Sequence, residues 1–187
     1  NFHQLTMEGV TLENRCSEAW GDVMPHRKNA AVMRIAFQNI GGQPRLRNNT
    51  KTHALTERIQ KESYDVFLFA EHGLNLTKVP LGHQWNDRMN AHVDGKTFNV
   101  LSFIRRELEN STWHQVGGCG ITVVEEYASM KVGHGTDSTG LGRYCWVLLQ
   151  GRQDTKVRLV SAYRPVENKR DAGSVWNQHV RYFRKEY

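Results

Sequence analysis

Residues 32–71 read VMRIAFQNIGGQPRLRNNTKTHALTERIQKESYDVFLFAE and contain two short apolar runs with a polar, periodic segment between them. The first run, at 32–37, predicts a buried strand that ends at Asn39, just before a pair of glycines. The second run, at 66–70, predicts another strand, which ends at Glu71. The segment between them has helical spacing of its apolar residues. Because a helical crossover joins parallel strands of one sheet, the region predicts a strand–helix–strand unit.

Short apolar runs recur later in the chain, and each predicts a further strand. The polar connection at 151–154 predicts a hairpin between the last two of them. The tail from Ser174 has apolar residues near helical spacing, which predicts an amphipathic helix. Several strands at short spacing after one crossover are typical of a mixed α/β sandwich. The later predicted strands are 98–104, 120–125, 144–149 and 157–163.

Length and composition are those of one globular domain: 187 residues, 39% hydrophobic and 24% charged. Residues 1–31 are polar and aperiodic, so we expect an extension with little structure before a domain at 32–187. The first thirty residues carry no secretory signal, and no run reaches the roughly 20 apolar residues that span a bilayer. The sequence therefore predicts no membrane partner. The net charge of +6 favours a polyanionic partner, although many basic proteins bind no nucleic acid.

The three cysteines are widely spaced and odd in number. This pattern fits neither a zinc ribbon nor a secreted disulfide scaffold, and it favours a reducing, intracellular compartment. Cys119 and Cys145 lie in apolar runs and are expected to be small core residues.

Three polar residues stand at the ends of predicted strands: Asn39, Glu71 and Tyr163. Strand ends in layered α/β folds are places where sites assemble from distant parts of a chain. A carboxylate suits Mg²⁺, an amide orients it, and a tyrosine hydroxyl donates to a phosphate oxygen. Position alone leaves ordinary alternatives open. Glu71 has the pattern of a surface residue or helix cap, Asn39 that of a turn residue, and Tyr163 that of a packing aromatic.

Four stretches carry a family resemblance: 34–40 (RIAFQNI), 65–72 (DVFLFAEH), 117–121 (GGCGI) and 158–165 (RLVSAYRP). In this order they resemble the strands of the endonuclease/exonuclease/phosphatase superfamily that hold its Asn, its metal-binding Glu and its active-site Tyr. The family usually has Gln before that Glu, whereas this chain has Ala70. The stretch 140–146 (GLGRYCW) is similar to a strand of retroelement-like or uncharacterised members.

The resemblance implies a four-layered α/β sandwich that is present only in its N-terminal half. The family's later motifs, Gly-Asp-x-Asn and Ser-Asp-His, do not occur in this sequence, and we expect a domain truncated at its C-terminus. It also implies that Glu71 and Asn39 hold Mg²⁺, with Mn²⁺ as a possible substitute, and that Tyr163 stabilises the charged transition state. Without the later motifs we expect the chain to be inactive alone.

The resemblance and the basic charge together predict a Mg²⁺-dependent phosphodiester hydrolase, most simply an endonuclease acting on DNA or RNA. One alternative keeps the fold but takes a phospholipid, an inositol phosphate or another small phosphoester. A second alternative is a non-catalytic fragment or binding module. The sequence does not indicate an oligomeric state.

Two structural expectations accompany these hypotheses. His134 and Asp137 lie between glycines, and we expect a flexible solvated loop there rather than a metal site. A half domain should also leave an apolar face partly open, which predicts poor solubility or a molten state. That face is expected to include Val66, Leu68, Val147 and Leu149.

Overall fold

The computed structural model of the chain describes residues 28, 32–46, 50–105 and 113–163. These residues form seven strands and three α-helices in the order β1, α1, β2, α2, β3, β4, α3, β5, β6, β7, with one turn of 3-10 helix, Arg152–Asp154, between β6 and β7. The bounds are β1 Ile35–Asn39, α1 Thr50–Lys61, β2 Val66–Ala70, α2 Trp85–His92, β3 Thr97–Ser102, β4 Cys119–Val124, α3 Glu125–Ser129, β5 Lys131–Thr136, β6 Tyr144–Gln150 and β7 Lys156–Ala162.

The strands form two sheets. The first has the order β1-β2-β4-β3, and the second has the order β5-β6-β7. Strands β1 and β2 are parallel with α1 between them, so the predicted strand–helix–strand unit is confirmed. The remaining pairs are antiparallel, including the predicted β6–β7 hairpin. The mixed α/β class is therefore confirmed.

Strand β2 is buried along its whole length because both of its faces are covered. One face carries Phe67 and Phe69, which pack with Ile59 of α1 and Trp85 of α2. The other face belongs to the core between the two sheets. The described residues thus form three layers: two helices, the first sheet and the second sheet.

The predicted open face is wrong. Val66, Leu68, Val147 and Leu149 are 0–7% exposed, because strands β5 to β7 already form a second sheet that covers the first. Cys119 and Cys145 are buried free thiols in the same core, as the sequence predicts.

Apolar exposure occurs instead on β1, which the sequence predicts as a buried strand. It is an edge strand with alternating exposure, and its side chains Ile35 and Phe37 are 41% and 60% exposed. A run of apolar residues does not distinguish an edge strand from a central one, because both have the same local composition.

The expected loop around His134 is also wrong. His134 lies within β5, a strand that the sequence analysis does not predict. Asp137 is 5% exposed and accepts hydrogen bonds from the backbone N–H groups of Thr139 and Arg143, both at 2.9 Å. It is therefore a structural turn residue. Helices α2 and α3 are likewise not predicted from the sequence.

Two predicted segments fall wholly or largely outside the described residues. They are most of the extension at 1–31 and the helix from Ser174. Within the part of the chain that the structure describes, no helix has the length and apolar character needed to cross a membrane.

Candidate functional site

The ends of β2 and β7 meet at one edge of the sandwich. Glu71 follows β2 and Tyr163 follows β7, so the two residues come from different sheets. Their side chains are hydrogen bonded to each other. Two residues earlier, the Ser161 hydroxyl donates to the Phe69 carbonyl at 2.9 Å and ties β7 to β2. The structure thus brings together two of the three residues that the sequence selects.

Asn39 lies beside this pair through strand register. It is the register partner of Ala70, the residue before Glu71. Its side chain is exposed, and its Oδ1 accepts from the N–H of Gly41 at 2.9 Å. Asn39 therefore shapes the turn after β1 and stands next to the Glu71 backbone. Its expected contact with a metal stays a prediction.

The backbone of Glu71 has an uncommon conformation, with a φ of 58°. A non-glycine residue in this left-handed region costs on the order of 1–3 kcal/mol and persists only when its surroundings hold it. Here the Glu71 N–H donates to the carbonyl of Gly118 at 2.7 Å, and its carbonyl accepts from the N–H of Gly42 at 2.5 Å. Loops on both sides of β2 therefore hold the backbone of Glu71 in place.

Glycines allow the close approach of these loops. Gly117 and Gly118 have φ values of 78° and 83°. A Cβ on Gly117 would lie 2.8 Å from the Tyr163 ring, and one on Gly118 would overlap the ring of His72. The Gly-Gly sequence before β4 is therefore required for Tyr163 and His72 to occupy their positions.

Tyr163 retains its proton over the physiological pH range. Burial raises the pKa of its hydroxyl to about 12, and the hydrogen bond and negative charge of Glu71 act in the same direction. The positive charge of Arg143 opposes this rise in the pKa. The hydroxyl is therefore a hydrogen-bond donor that faces a carboxylate.

His72 supports the site from within the core. Its Nδ1 accepts from the Leu74 N–H at 3.0 Å, so its Nε2 carries the proton and donates to the Ser102 carbonyl at 3.0 Å. Complete burial lowers the pKa of His72 to about 4, which keeps the ring neutral. This geometry makes His72 a structural residue.

Arg143 is a member of the site that sequence reasoning did not select. It is 1% exposed and lies opposite Tyr163. The sequence does carry a signal for the burial of Arg143, which is its alternation with Cys145, Val147 and Leu149. Residues two apart on a strand face the same side of the sheet.

The described residues contain no cluster of three or more His, Cys, Asp or Glu side chains that could hold a metal. Glu71 with the neighbouring Asn39 offers one carboxylate and one amide. This donor set fits Mg²⁺, which commonly keeps several waters and takes one or two protein carboxylates plus substrate phosphates. It does not fit a metal that needs a complete protein cage.

Comparison with solved structures gives the following two matches. The chain is similar to an AP endonuclease from Archaeoglobus fulgidus, with a TM-score of 0.53 and 14% identity over 82% of this chain. It also matches an endonuclease/exonuclease/phosphatase family protein from Leptotrichia buccalis C-1013-b, with a TM-score of 0.49 and 9% identity over 83% of this chain. The matches span 49% and 62% of those two chains.

No protein-family model and no curated protein sequence matches this chain. At 14% identity, the likeness to the AP endonuclease concerns the fold. The α/β sandwich fold that the four sequence stretches imply is thus confirmed, and this chain spans about half the length of the AP endonuclease that it matches.

Proposed function

We propose that this chain supplies half of the active site of a Mg²⁺-dependent phosphodiester hydrolase that acts on nucleic acid. The observation that carries the proposal is the Glu71–Tyr163 hydrogen bond across the two sheets, with Glu71 held at a φ of 58°. A strained backbone conformation held by two loops is costly to maintain, and such strain is typical of functional sites.

The chemistry of the pair suits a phosphate diester. Glu71 offers a carboxylate for a hard cation, and Mg²⁺ bound there would polarise the phosphate and offset its developing charge. The neutral Tyr163 hydroxyl has a proton to donate to a phosphate oxygen. The amide of Asn39 lies on the neighbouring strand, where it can support Glu71 or contact a ligand oxygen.

Nucleic acid is the favoured substrate class for three reasons. The chain carries a net charge of +6, and its structural relative from Archaeoglobus fulgidus is an AP endonuclease. In addition, the Lys51 ammonium lies at the rim of the site, where it donates to the carbonyl of Gly41 at 2.9 Å. A cation at this position favours a polyanionic backbone near Asn39.

The test is a cleavage assay with three substrates: supercoiled plasmid DNA, single-stranded RNA and bis(p-nitrophenyl) phosphate. Both this chain and the product of its full reading frame are assayed with Mg²⁺ and with EDTA. We expect the full product to cleave a nucleic acid only with the metal, and this chain alone to be inactive. Cleavage of the small diester alone would instead favour a small-phosphoester enzyme.

Two matched substitutions locate the activity. Glu71→Gln removes the carboxylate charge and should lower kcat by about 100-fold or more. Glu57→Gln makes the same change on the exposed face of α1 and should leave the rate unchanged. Equal rates in the two variants would refute the assignment of Glu71.

A further inference from the structure

Arg143 and Tyr163 form a cross-strand pair at the end of the β6–β7 ladder. The Tyr163 N–H donates to the Arg143 carbonyl at 2.8 Å, which extends the register beyond the pair Tyr144 and Ala162. Residues directly opposite each other in an antiparallel ladder project to the same face of the sheet. Arg143 therefore stands beside Tyr163.

Strand alternation identifies that face. Cys145, Val147 and Leu149 of β6 are buried in the core between the sheets, and Arg143 continues this row in steps of two. Ser161 of β7 is also buried, and Tyr163 continues its row. Both side chains thus lie at the mouth of the inter-sheet space, where Tyr163 meets Glu71.

The turn before β6 fixes the backbone of Arg143. Asp137 Oδ2 accepts from the Arg143 N–H at 2.9 Å. Gly142 has a φ of 72°, and a Cβ there would lie 2.7 Å from the carbonyl carbon of Phe103. The backbone of Arg143 consequently has little freedom to change position.

An arginine that is 1% exposed is an expensive way to fill space, because burying a charge costs far more than burying a methionine of similar length. We propose that Arg143 is a positioning residue of the site, whose buried guanidinium places a fixed positive charge beside the Tyr163 ring and holds its hydroxyl towards Glu71. Its use in catalysis rests on the proposed function, whereas the arrangement itself does not.

The primary experiment uses the 187-residue chain with carbon-13 at the tyrosine ring carbon that bears the hydroxyl. Tyr163→Phe identifies the Tyr163 signal, and Tyr64 serves as an internal reference. Arg143→Met should shift the Tyr163 signal, while Arg143→Lys, which keeps a positive charge, should restore it towards the wild-type position. Arg34→Met is the matched control, because Arg34 is also buried but donates to the Glu62 carbonyl at the other end of β2.

An unmoved Tyr163 signal in folded Arg143→Met would overturn the proposal, and so would an equal shift in Arg34→Met. If Arg143→Met does not fold, the wild-type chain with nitrogen-15 arginine decides the question. A nuclear Overhauser effect between the Arg143 guanidinium protons and the Tyr163 ring supports the proposal, and its absence overturns it.

The catalytic part is tested separately in the full reading-frame product. Arg143→Met should lower kcat by about tenfold with little change in KM. Combined with Tyr163→Phe, it should add no further loss, because it acts through the tyrosine. Additive losses overturn this catalytic role. A shifted Tyr163 signal in a protein with no phosphodiesterase activity would support the arrangement while refuting the proposed function.

Discussion

The two ends of strand β2 each carry an acidic residue, but their surroundings differ. Asp65 at the start is 4% exposed, forms an ion pair with Lys28 and accepts from the Arg34 N–H at 2.7 Å. Glu71 at the end is partly exposed, has a φ of 58° and is hydrogen bonded to a tyrosine from the other sheet. The first acid has the partners that stabilise a fold. The second is partly exposed and has a strained backbone conformation, which is typical of a site.

The largest effect should come from the loop that clamps Glu71. Gly118→Ala adds a Cβ that overlaps the buried His72 ring and also requires a φ of 83°. We expect the free energy of unfolding to fall by about 4 kcal/mol or more, which urea denaturation measures. Gly82→Ala is the control, because Gly82 has a φ of 79° but no atom within 4 Å of the added Cβ.

Gly82→Ala should therefore cost only about 1 kcal/mol, the cost of the left-handed backbone alone. Equal losses in the two variants would show that the backbone conformation, and not the packing of His72, requires the glycine at 118.

Replacing Asp65 should lower the free energy of unfolding by more than replacing Glu71. Asp65→Ala removes the acceptor of the Arg34 N–H and leaves Lys28 without its carboxylate, so we expect a loss of about 3 kcal/mol. Glu71→Ala should cost about 1 kcal/mol or less, because its carboxylate is partly exposed. Thermal and urea unfolding at neutral pH measure both. A larger loss of unfolding free energy in Glu71→Ala than in Asp65→Ala would contradict this comparison.

Lowering the pH should lower the free energy of unfolding, because His72 is buried in its neutral form. The folded pKa is about 4 and the ordinary value is 6.5, so the unfolded chain binds more protons between these values. The contribution of the neutral ring is complete above pH 6.5 and is lost as the pH falls to about 4. The full loss is about 3 kcal/mol, at 1.36 kcal/mol for each pKa unit.

Urea unfolding at pH 7 and pH 4.5 tests this dependence. The wild type should lose about 2–3 kcal/mol more than His72→Gln over this interval. His134→Gln is the control, because His134 is an exposed residue of β5. If the unfolding free energies of the wild type and of His72→Gln depend on pH in the same way, His72 is not a buried neutral residue.

The sequence was sufficient for those parts of the fold that local pattern determines. The apolar run of β2 and the helical spacing of α1 are local signals, and the structure has both elements. It was insufficient for β5, where Gly133 and Gly135 indicate a loop. The structure uses those glycines to make room for Trp146 of the neighbouring strand. Such a requirement comes from a residue distant in sequence.

The same limit applies to the site. Strand ends identified Glu71 and Tyr163, and the structure joins them. The positive φ of Glu71 depends on loops distant in sequence, so no local pattern indicates it. Arg143 continues the alternation of Cys145 and Val147, but a charged residue at such a position does not by itself predict burial, which depends on the packing of the two sheets. The sequence analysis also expects the sheet face that contains Leu68 to be partly open. The structure covers this face with strands β5 to β7, which lie later in the chain, so the local sequence around Leu68 does not indicate the cover.

The smallest expected effect isolates the strain at Glu71. Glu71→Ala and Glu71→Gly both remove the carboxylate and its hydrogen bond to Tyr163, so both should abolish activity in the full reading-frame product. They differ in backbone preference, because glycine adopts a φ of 58° without a Cβ penalty and alanine does not. The glycine variant should therefore be the more stable by about 1 kcal/mol, although glycine usually weakens a fold. The order should be the opposite at residue 70, within the fully buried β2, where Ala70→Gly should be less stable than the wild type because that residue has ordinary strand geometry. Urea unfolding of the three variants and the wild type measures both differences, and an alanine variant at 71 that is as stable as the glycine variant would show that Glu71 is unstrained.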